Sequence, residues 1–220
     1  MNPQKNFAIV LSGCGVFDGA EIHEAVMTMY AIALHGASYQ IFAPDVMQHH
    51  VVNHINGKEM PEQRNVMVEA ARISRGKILP LSAFAAPKFD ALIFPGGFGA
   101  AKNLSSWAFE GAKAKLNPDV QQAIVSMHQL KKPVGALCIS PVLFALALGN
   151  VKITIGDETP TIEALESLGA KHIIISTHGR VVVDEQNLLF STPCYMLNAT
   201  VVDIAEGAKA IVGKMMEYLK

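Results

Sequence analysis

The sequence PVGALCISP occupies residues 133–141, and this stretch decides how the fold is interpreted. An apolar run ends on Cys138, small residues flank the cysteine, and a helix-like segment follows at once. This pattern is typical of a nucleophile elbow, in which a strand, a sharp turn carrying the nucleophile and a helix follow one another. A helix N-terminus behind the turn favours the thiolate. The pattern predicts a reactive Cys138, although an unreactive buried cysteine would fit the same residues.

The composition predicts one folded domain over residues 1–220. Half of the residues are hydrophobic and 17% are charged, which is enough for a large core. The net charge of −1 gives no reason to expect nucleic acid or an anionic membrane as a partner. No stretch approaches the roughly 18 apolar residues of a membrane span, and no signal peptide is evident. Three widely spaced cysteines argue against a disulfide framework. We therefore expect a cytoplasmic protein.

Strand-like and helix-like segments alternate along the chain. The predicted strands cover residues 7–11, 39–43, 90–94, 134–137, 173–176, 181–183 and 188–191. The predicted helices cover residues 18–34, 62–74, 119–130, 161–168 and 198–220. Such apolar strands between helices are typical of an α/β sandwich, with a mainly parallel sheet and helices on both faces. Ligands bind such sheets beyond the carboxyl ends of the strands, where loops 12–19, 95–101 and 138–141 are expected to meet.

The first of these loops leads into a helix that carries several acidic residues. Asp18 is placed to cap the helix, and Glu21 follows three residues later in the capping-box position, which favours a structural role for Glu21 over a supporting role in catalysis. Glu24 lies about one turn further on. A carboxyl group beside a thiol shares or relays a proton when partial burial raises its pKa. Glu24 is therefore the candidate acid/base, and His23 is predicted to be exposed on another face.

The second loop is glycine-rich and follows a predicted strand, with the sequence PGGFGAAKN at residues 95–103. Glycine lets backbone N–H groups approach a ligand closely. The N–H groups of Gly97 and Ile139 are candidates for an oxyanion hole. A tight turn before a short helix would explain the same glycines without any catalytic role.

Other kinds of site have less support. His54 is a candidate for a supporting acid/base group outside direct contact with the nucleophile. The chain has no HExxH motif and no paired-cysteine zinc spacing, so neither a metal nor another cofactor is expected. The glycines at 13, 15 and 19 depart from the dinucleotide fingerprint, and acidic residues crowd the following helix start, where a pyrophosphate needs positive potential.

Longer stretches together resemble one protein family. They are SGCG at 12–15, DGAEIHE at 18–24, NH at 53–54, RNV with EAARI in 64–73, PGGFGAAKNL at 95–104 and TP with YML in 192–197. Nearly end to end, the chain resembles the bacterial ElbB proteins, also called enhancing-lycopene-biosynthesis or sigma cross-reacting proteins. The resemblance places it in the PfpI-type, class I glutamine-amidotransferase-like superfamily. It implies a flavodoxin-like fold, a homodimer and a link to isoprenoid biosynthesis.

The resemblance also implies roles for individual residues. Cys138 matches the elbow nucleophile, Glu24 the helix glutamate that hydrogen-bonds it, and Gly97 and Ile139 the oxyanion-hole amides. Proteases and amidotransferases of the superfamily place histidine near or just after the nucleophile, whereas this chain has Ile139 there, so a complete Cys–His–acid triad is not expected.

A Cys–Glu pair without histidine suits small carbonyl substrates. The superfamily includes glyoxalases that need no glutathione, and the resemblance implies a cofactor-independent glyoxalase. Cys138 would add to glyoxal to give a hemithioacetal, and Glu24 would move protons on the way to glycolate. The alternative is a non-enzymatic redox-sensing or regulatory protein that uses the same cysteine.

Overall fold

The computed structural model describes residues 4–219. Its strands are β1 (Asn6–Val10), β2 (Ser38–Ala43), β3 (Val52–Asn53), β4 (Lys58–Glu59), β5 (Leu79–Pro80), β6 (Ala91–Phe94), β7 (Val134–Leu137), β8 (Lys152–Ile153), β9 (Lys171–His172), β10 (Val182–Asp184) and β11 (Leu189–Thr192). Its α-helices are α1 (Ile22–Leu34), α2 (Val66–Ser74), α3 (Phe98–Lys102), α4 (Trp107–Glu110), α5 (Pro118–Gln129), α6 (Val142–Leu148), α7 (Thr159–Ser167) and α8 (Val201–Glu217).

A seven-stranded sheet forms the middle of the molecule, with the strand order β10-β11-β7-β6-β1-β2-β5. Every neighbouring pair is parallel except the β10–β11 hairpin at one edge. Two small ladders, β3–β4 and β8–β9, lie outside this sheet. The order places the carboxyl ends of β1, β6, β7 and β11 side by side, and the loops that follow these strands build the candidate site.

Helices cover both faces of the sheet, as the side chains of β1 show. Phe7 and Ile9 pack in the cluster that contains buried residues of α1, α2 and α8. Ala8 and Val10 pack in the opposite cluster, with residues of α3, α5, α6 and α7. Successive side chains of a strand point to opposite faces, so this alternation requires a covered sheet on both sides. The predicted flavodoxin-like α/β sandwich is confirmed.

The start of the first long helix differs from the prediction. Helix α1 begins at Ile22, and Glu21 itself is the N-cap, whose Oε2 accepts the Glu24 N–H at 2.7 Å. The Asp18 carboxylate instead accepts the Val52 N–H at 2.7 Å. The predicted capping box is therefore wrong, because the buried Asp18 side chain makes a long-range contact rather than capping the helix.

One predicted strand, at residues 173–176, is also wrong. The Ile173 N–H donates to the Ile153 carbonyl at 2.9 Å, but regular pairing ends at His172. Ile174 is 68% exposed, so most of it faces solvent rather than neighbouring side chains. Strands are stabilised by side-chain packing, and without it the extended pairing does not continue. The apolar composition of the segment suggested a buried strand that the fold does not provide.

Candidate active site

Cys138 lies in a sharp backbone turn of the kind predicted for a nucleophile elbow. Cys138 follows β7 directly and has a φ of +60°, a left-handed conformation that residues other than glycine adopt rarely. Its N–H donates to the Thr192 carbonyl at 2.9 Å, which continues the β7–β11 pairing by one residue. The Ser140 hydroxyl donates to the Pro95 carbonyl at 2.8 Å. Contacts to two neighbouring strand ends therefore hold Cys138 in this conformation.

Three groups surround the Cys138 sulfur. The backbone N–H groups of Gly97 and Ile139 donate hydrogen bonds to it, and the Glu24 carboxyl group forms a third hydrogen bond. Cys138 is only 7% exposed. The structure thus brings together the predicted nucleophile, the predicted acid/base and both predicted amides.

Glu24 lies entirely out of solvent, and backbone N–H groups contact both of its carboxyl oxygens. Its Oε2 accepts the Gly96 N–H at 2.8 Å, and its Oε1 accepts the Tyr195 N–H at 3.3 Å. Burial, followed by the charge of nearby Glu21, raises the pKa of Glu24 to about 8. A carboxyl group with this pKa exchanges protons near physiological pH, as a general acid/base must.

The thiol does not show the lowered pKa expected from the sequence. Burial, followed by the Glu24 charge, raises the pKa of Cys138 well above its ordinary value, although the two N–H donors act in the opposite direction. Helix α6 begins only at Val142, and the effect of a helix dipole fades within about one turn. That expectation is therefore wrong, because burial and the neighbouring carboxyl group favour the protonated thiol.

The coupled pair predicts how reactivity changes with pH. We expect the alkylation of Cys138 by iodoacetamide to accelerate as pH rises through about 8, the value to which the pKa of Glu24 is raised. Loss of the first proton leaves a single proton shared between carboxylate and thiol, and the thiolate form reacts. Peptide mapping by mass spectrometry at a series of pH values measures this rate. A pH-independent rate over this range would contradict the coupling.

Tyr195 belongs to the site but was not predicted to act in it. Besides its N–H contact to Glu24, its hydroxyl lies 2.9 Å from His23 Nδ1, and that nitrogen lies 3.5 Å from Glu21 Oε1. Burial, followed by Glu21 and Glu24, raises the pKa of Tyr195, so its phenol stays protonated. His23 is exposed, as predicted, but it has this partner at the site.

His54 is not brought to the nucleophile. Its Nε2 accepts the Phe17 N–H at 3.1 Å, and its Nδ1 lies 3.0 Å from the Val52 carbonyl. A neutral ring with its proton on Nδ1 satisfies both contacts. His54 therefore stabilises the loop that follows β1 through its contact with Phe17. None of its contacts named here involves Cys138 or Glu24.

A pocket of about 450 Å³ opens at Cys138. Its lining residues are Val16, Gly97, Phe98, Cys138, Ile139, Glu158, Thr161, Tyr195 and Met196. None of these is a histidine, lysine or arginine. Glu158 and Thr161 come from the start of α7, and no sequence pattern predicted that this helix would reach the pocket.

Residues 4–219 contain neither a cluster suited to a metal ion nor a helix suited to a membrane span. Within that range no group of three or more His, Cys, Asp or Glu side chains is arranged to hold a metal ion. No helix in the described part of the chain has both the length and the apolar character needed to cross a bilayer. The expectations of a metal-free and cofactor-free site stay predictions.

Comparison with known proteins places the chain among its relatives. No family model matches it. It is 44% identical over 228 residues to the human mitochondrial glutamine amidotransferase-like class 1 domain-containing protein 3, covering 98% of this chain and 84% of that protein. The crystal structure of an isoprenoid biosynthesis protein with an amidotransferase-like domain from Ehrlichia chaffeensis matches with a TM-score of 0.90 and 35% identity, over 97% of this chain and 100% of that one.

More distant structures share the fold alone. A ThiJ/PfpI domain protein from Brachyspira murdochii matches with a TM-score of 0.60 at 16% identity, over 99% of each chain. The narrower resemblance to the ElbB proteins stays a prediction. At 44% identity over nearly its whole length, the chain belongs to the family of glutamine amidotransferase-like class 1 domain proteins.

Proposed function

We propose that this protein is a cofactor-independent glyoxalase that converts glyoxal and water to glycolate. The observation that supports this proposal is the buried Glu24 carboxyl group in hydrogen-bond contact with the Cys138 sulfur. Neither the pocket lining nor the groups that contact the sulfur include a histidine, so the Glu24 carboxyl group is the proton carrier in contact with the thiol. One nucleophile and one proton carrier are sufficient to add to an aldehyde and isomerise the product.

The first step forms the hemithioacetal. In the state with one shared proton, the Cys138 thiolate attacks one aldehyde carbon of glyoxal and a C–S bond forms. The carbonyl π electrons move to oxygen, and the Gly97 and Ile139 N–H groups stabilise the resulting oxyanion. Glu24 then gives its proton to that oxygen, which leaves a neutral hemithioacetal and a Glu24 carboxylate.

The second step moves hydrogen between the two substrate carbons. The Glu24 carboxylate removes the C–H proton of the hemithioacetal carbon and protonates the second aldehyde oxygen, which gives an enediol. It then takes the hydroxyl proton of the sulfur-bearing carbon and returns a proton to the other carbon. The product is a glycolyl thioester on Cys138, and water cleaves its C–S bond to give glycolate and the free thiol.

The proposal predicts complete dependence on one cysteine. We expect Cys138→Ala to abolish glycolate formation from glyoxal, because no other group in the pocket can form the thioester. Cys14→Ala serves as the matched control, since Cys14 is only half-buried and does not line the pocket. The measurement is glycolate, quantified by chromatography. Equal activity in Cys138→Ala and the wild type would contradict the proposal.

The alternative of a redox sensor has less structural support. Oxidation by peroxide follows thiolate character and exposure. The Cys138 thiol is buried and its pKa is raised, so the free protein holds little thiolate at neutral pH.

Three biological expectations remain proposals. The link to isoprenoid biosynthesis rests on the name of the 35% identical relative, and disruption of the gene followed by measurement of isoprenoid levels would test it. The human relative is mitochondrial by name, whereas this chain is predicted to be cytoplasmic, and cell fractionation decides its location. The predicted homodimer is tested by sedimentation velocity.

A further inference from the structure

We infer that the Cys138 pocket is built for a carbonyl compound with an apolar body and a cationic end, and that glyoxal is only its smallest substrate. This inference rests on the proposed function for its chemistry. Glyoxal has only four heavy atoms, whereas the pocket has a volume of about 450 Å³. Cavities of this size bury ligands as large as drug molecules. Most of the pocket would stay empty around glyoxal.

The walls of the pocket are apolar. Val16, Phe98, Ile139 and Met196 are among its lining residues. Phe98 is 48% exposed, and Lys102 Nζ lies over its ring at 5.4 Å from the centroid, so a ligand can contact only the remaining surface of the ring. Burying apolar ligand surface against such walls is favourable at roughly 25 cal/mol per Å². An aliphatic or aromatic body attached to the reacting carbonyl therefore fits the space that glyoxal leaves.

The charge at the rim is negative. Glu158 is the N-cap of α7, and its Oε2 accepts the Thr161 N–H at 2.9 Å. Within residues 4–219, its second oxygen has no hydrogen bond or ion pair. Lys102 and His23 lie outside the lining, where the Lys102 amine donates to the Phe17 carbonyl and His23 faces the Tyr195 hydroxyl. A cationic end thus meets a carboxylate, whereas an anionic end meets no lining cation.

The same charge pattern argues against phosphorylated ligands. A prenyl diphosphate has a suitable apolar body, but its phosphates need arginine, lysine or a run of free N–H groups. The lining provides neither of these side chains, and its oxyanion site offers only the two N–H groups of Gly97 and Ile139, too few for the several oxygens of a diphosphate. Any link to isoprenoid biosynthesis would then not come from binding such a diphosphate in this pocket.

The test uses three unreactive probes of equal length: 4-phenylbutylamine, 4-phenylbutanol and 4-phenylbutyrate. Each is added at a pH of about 8, and protection of Cys138 from iodoacetamide is measured by peptide mapping. We expect the amine to protect at about one tenth of the concentration that the carboxylate needs, since partly exposed charge pairs have modest energies. Equal protection by amine and carboxylate would overturn the inference, and so would no protection by any probe.

Two variants test whether Glu158 causes the preference for the amine probe over the carboxylate probe. Glu158→Gln keeps an oxygen for the helix cap and removes the charge, so we expect the amine and carboxylate to become nearly equivalent. Glu163→Gln removes the same charge from an exposed position of α7 outside the pocket, and the preference should persist. A carboxylate probe could also bind with its charged end at the Gly97 and Ile139 amides instead of at Glu158. Its protection of Cys138 would then be the same in Glu158→Gln as in the wild type. An unchanged preference in Glu158→Gln would overturn the assignment of the cation site.

Turnover separates this inference from the proposed function. We expect kcat/KM for phenylglyoxal to exceed that for glyoxal by at least about tenfold, because its ring adds apolar contact. Discriminating protection without turnover of either oxoaldehyde would refute the glyoxalase and leave the pocket assignment standing. Turnover of glyoxal without discriminating protection would refute the pocket assignment and leave the glyoxalase standing.

Discussion

Replacing Glu24 with glutamine is expected to lower kcat for glycolate formation by about 10²- to 10⁴-fold, the usual contribution of a general acid/base. Glutamine has nearly the same shape and keeps one oxygen for the Gly96 N–H, which Glu24 accepts at 2.8 Å. It cannot take the thiol proton or carry protons between the substrate carbons. The loss should therefore appear in kcat, and the rise in Cys138 alkylation near pH 8 should disappear.

Glu69→Gln is the matched control for this variant. Glu69 is also buried, but its carboxylate pairs with Arg72 at 2.9 Å on helix α2 rather than with the thiol. We expect its kcat to equal that of the wild type. A Glu24→Gln enzyme with wild-type kcat would contradict the assigned role.

The same carboxyl group gives a stability prediction that does not depend on the substrate. Folding raises the pKa of Glu24 from 4.5 to about 8, so between these values the folded protein binds a proton that the unfolded chain has lost. Stability then falls as pH rises through this window, because the unfolded state binds fewer protons. Denaturant unfolding at several pH values should show this slope in the wild type and a smaller slope in Glu24→Gln. Identical slopes would contradict the raised pKa.

Gly96→Ala is expected to reduce kcat/KM by at least about 100-fold, the cost of displacing reacting groups by roughly 1 Å. A methyl group on Gly96 would lie 2.4 Å from the Cys138 Cβ and 2.6 Å from Glu24 Oε2. These distances are far inside van der Waals contact, and Cys138 and Glu24 both belong to tightly packed elements. The pair must therefore separate, and we expect a lower melting temperature as well.

Gly213→Ala provides the comparison. Gly213 lies in helix α8, and an added methyl group would meet His35 Nε2 at an ordinary 3.5 Å. Alanine also has the better helix propensity, so activity and stability should be retained. Wild-type activity in Gly96→Ala would show that the reacting groups are not held as closely as the structure indicates.

The sequence predicted the features of the site that depend on local pattern. The elbow at Cys138 and the glycine turn at Gly97 each lie in one continuous stretch, and alternation of apolar strands and helices predicted the sandwich. Glu24 was singled out because the predicted helix start at Asp18 placed it beyond the capping turn, whereas the observed start at Ile22 places it in the first turn. The predicted capping box failed because Asp18 bonds to Val52, a contact 34 residues away that no local pattern shows.

The remaining features depend on which strands become neighbours. Tyr195 reaches Glu24 only because β11 pairs with β7, and the sequence did not predict this strand order. Glu158 reaches the pocket through the placement of α7. The predicted direction of the Cys138 pKa shift was wrong because the shift depends on burial and on the charge of Glu24. Glu24 is far from Cys138 in the chain, so no local pattern shows this contact.

The central claim is that Cys138 carries the substrate as a covalent thioester. The most direct measurement is peptide mapping of the protein quenched with acid during turnover of glyoxal. We predict a glycolyl group on the peptide that contains Cys138, and none on the peptides that contain Cys14 or Cys194. Glycolate production with no modification of Cys138 at any quench time would contradict the account.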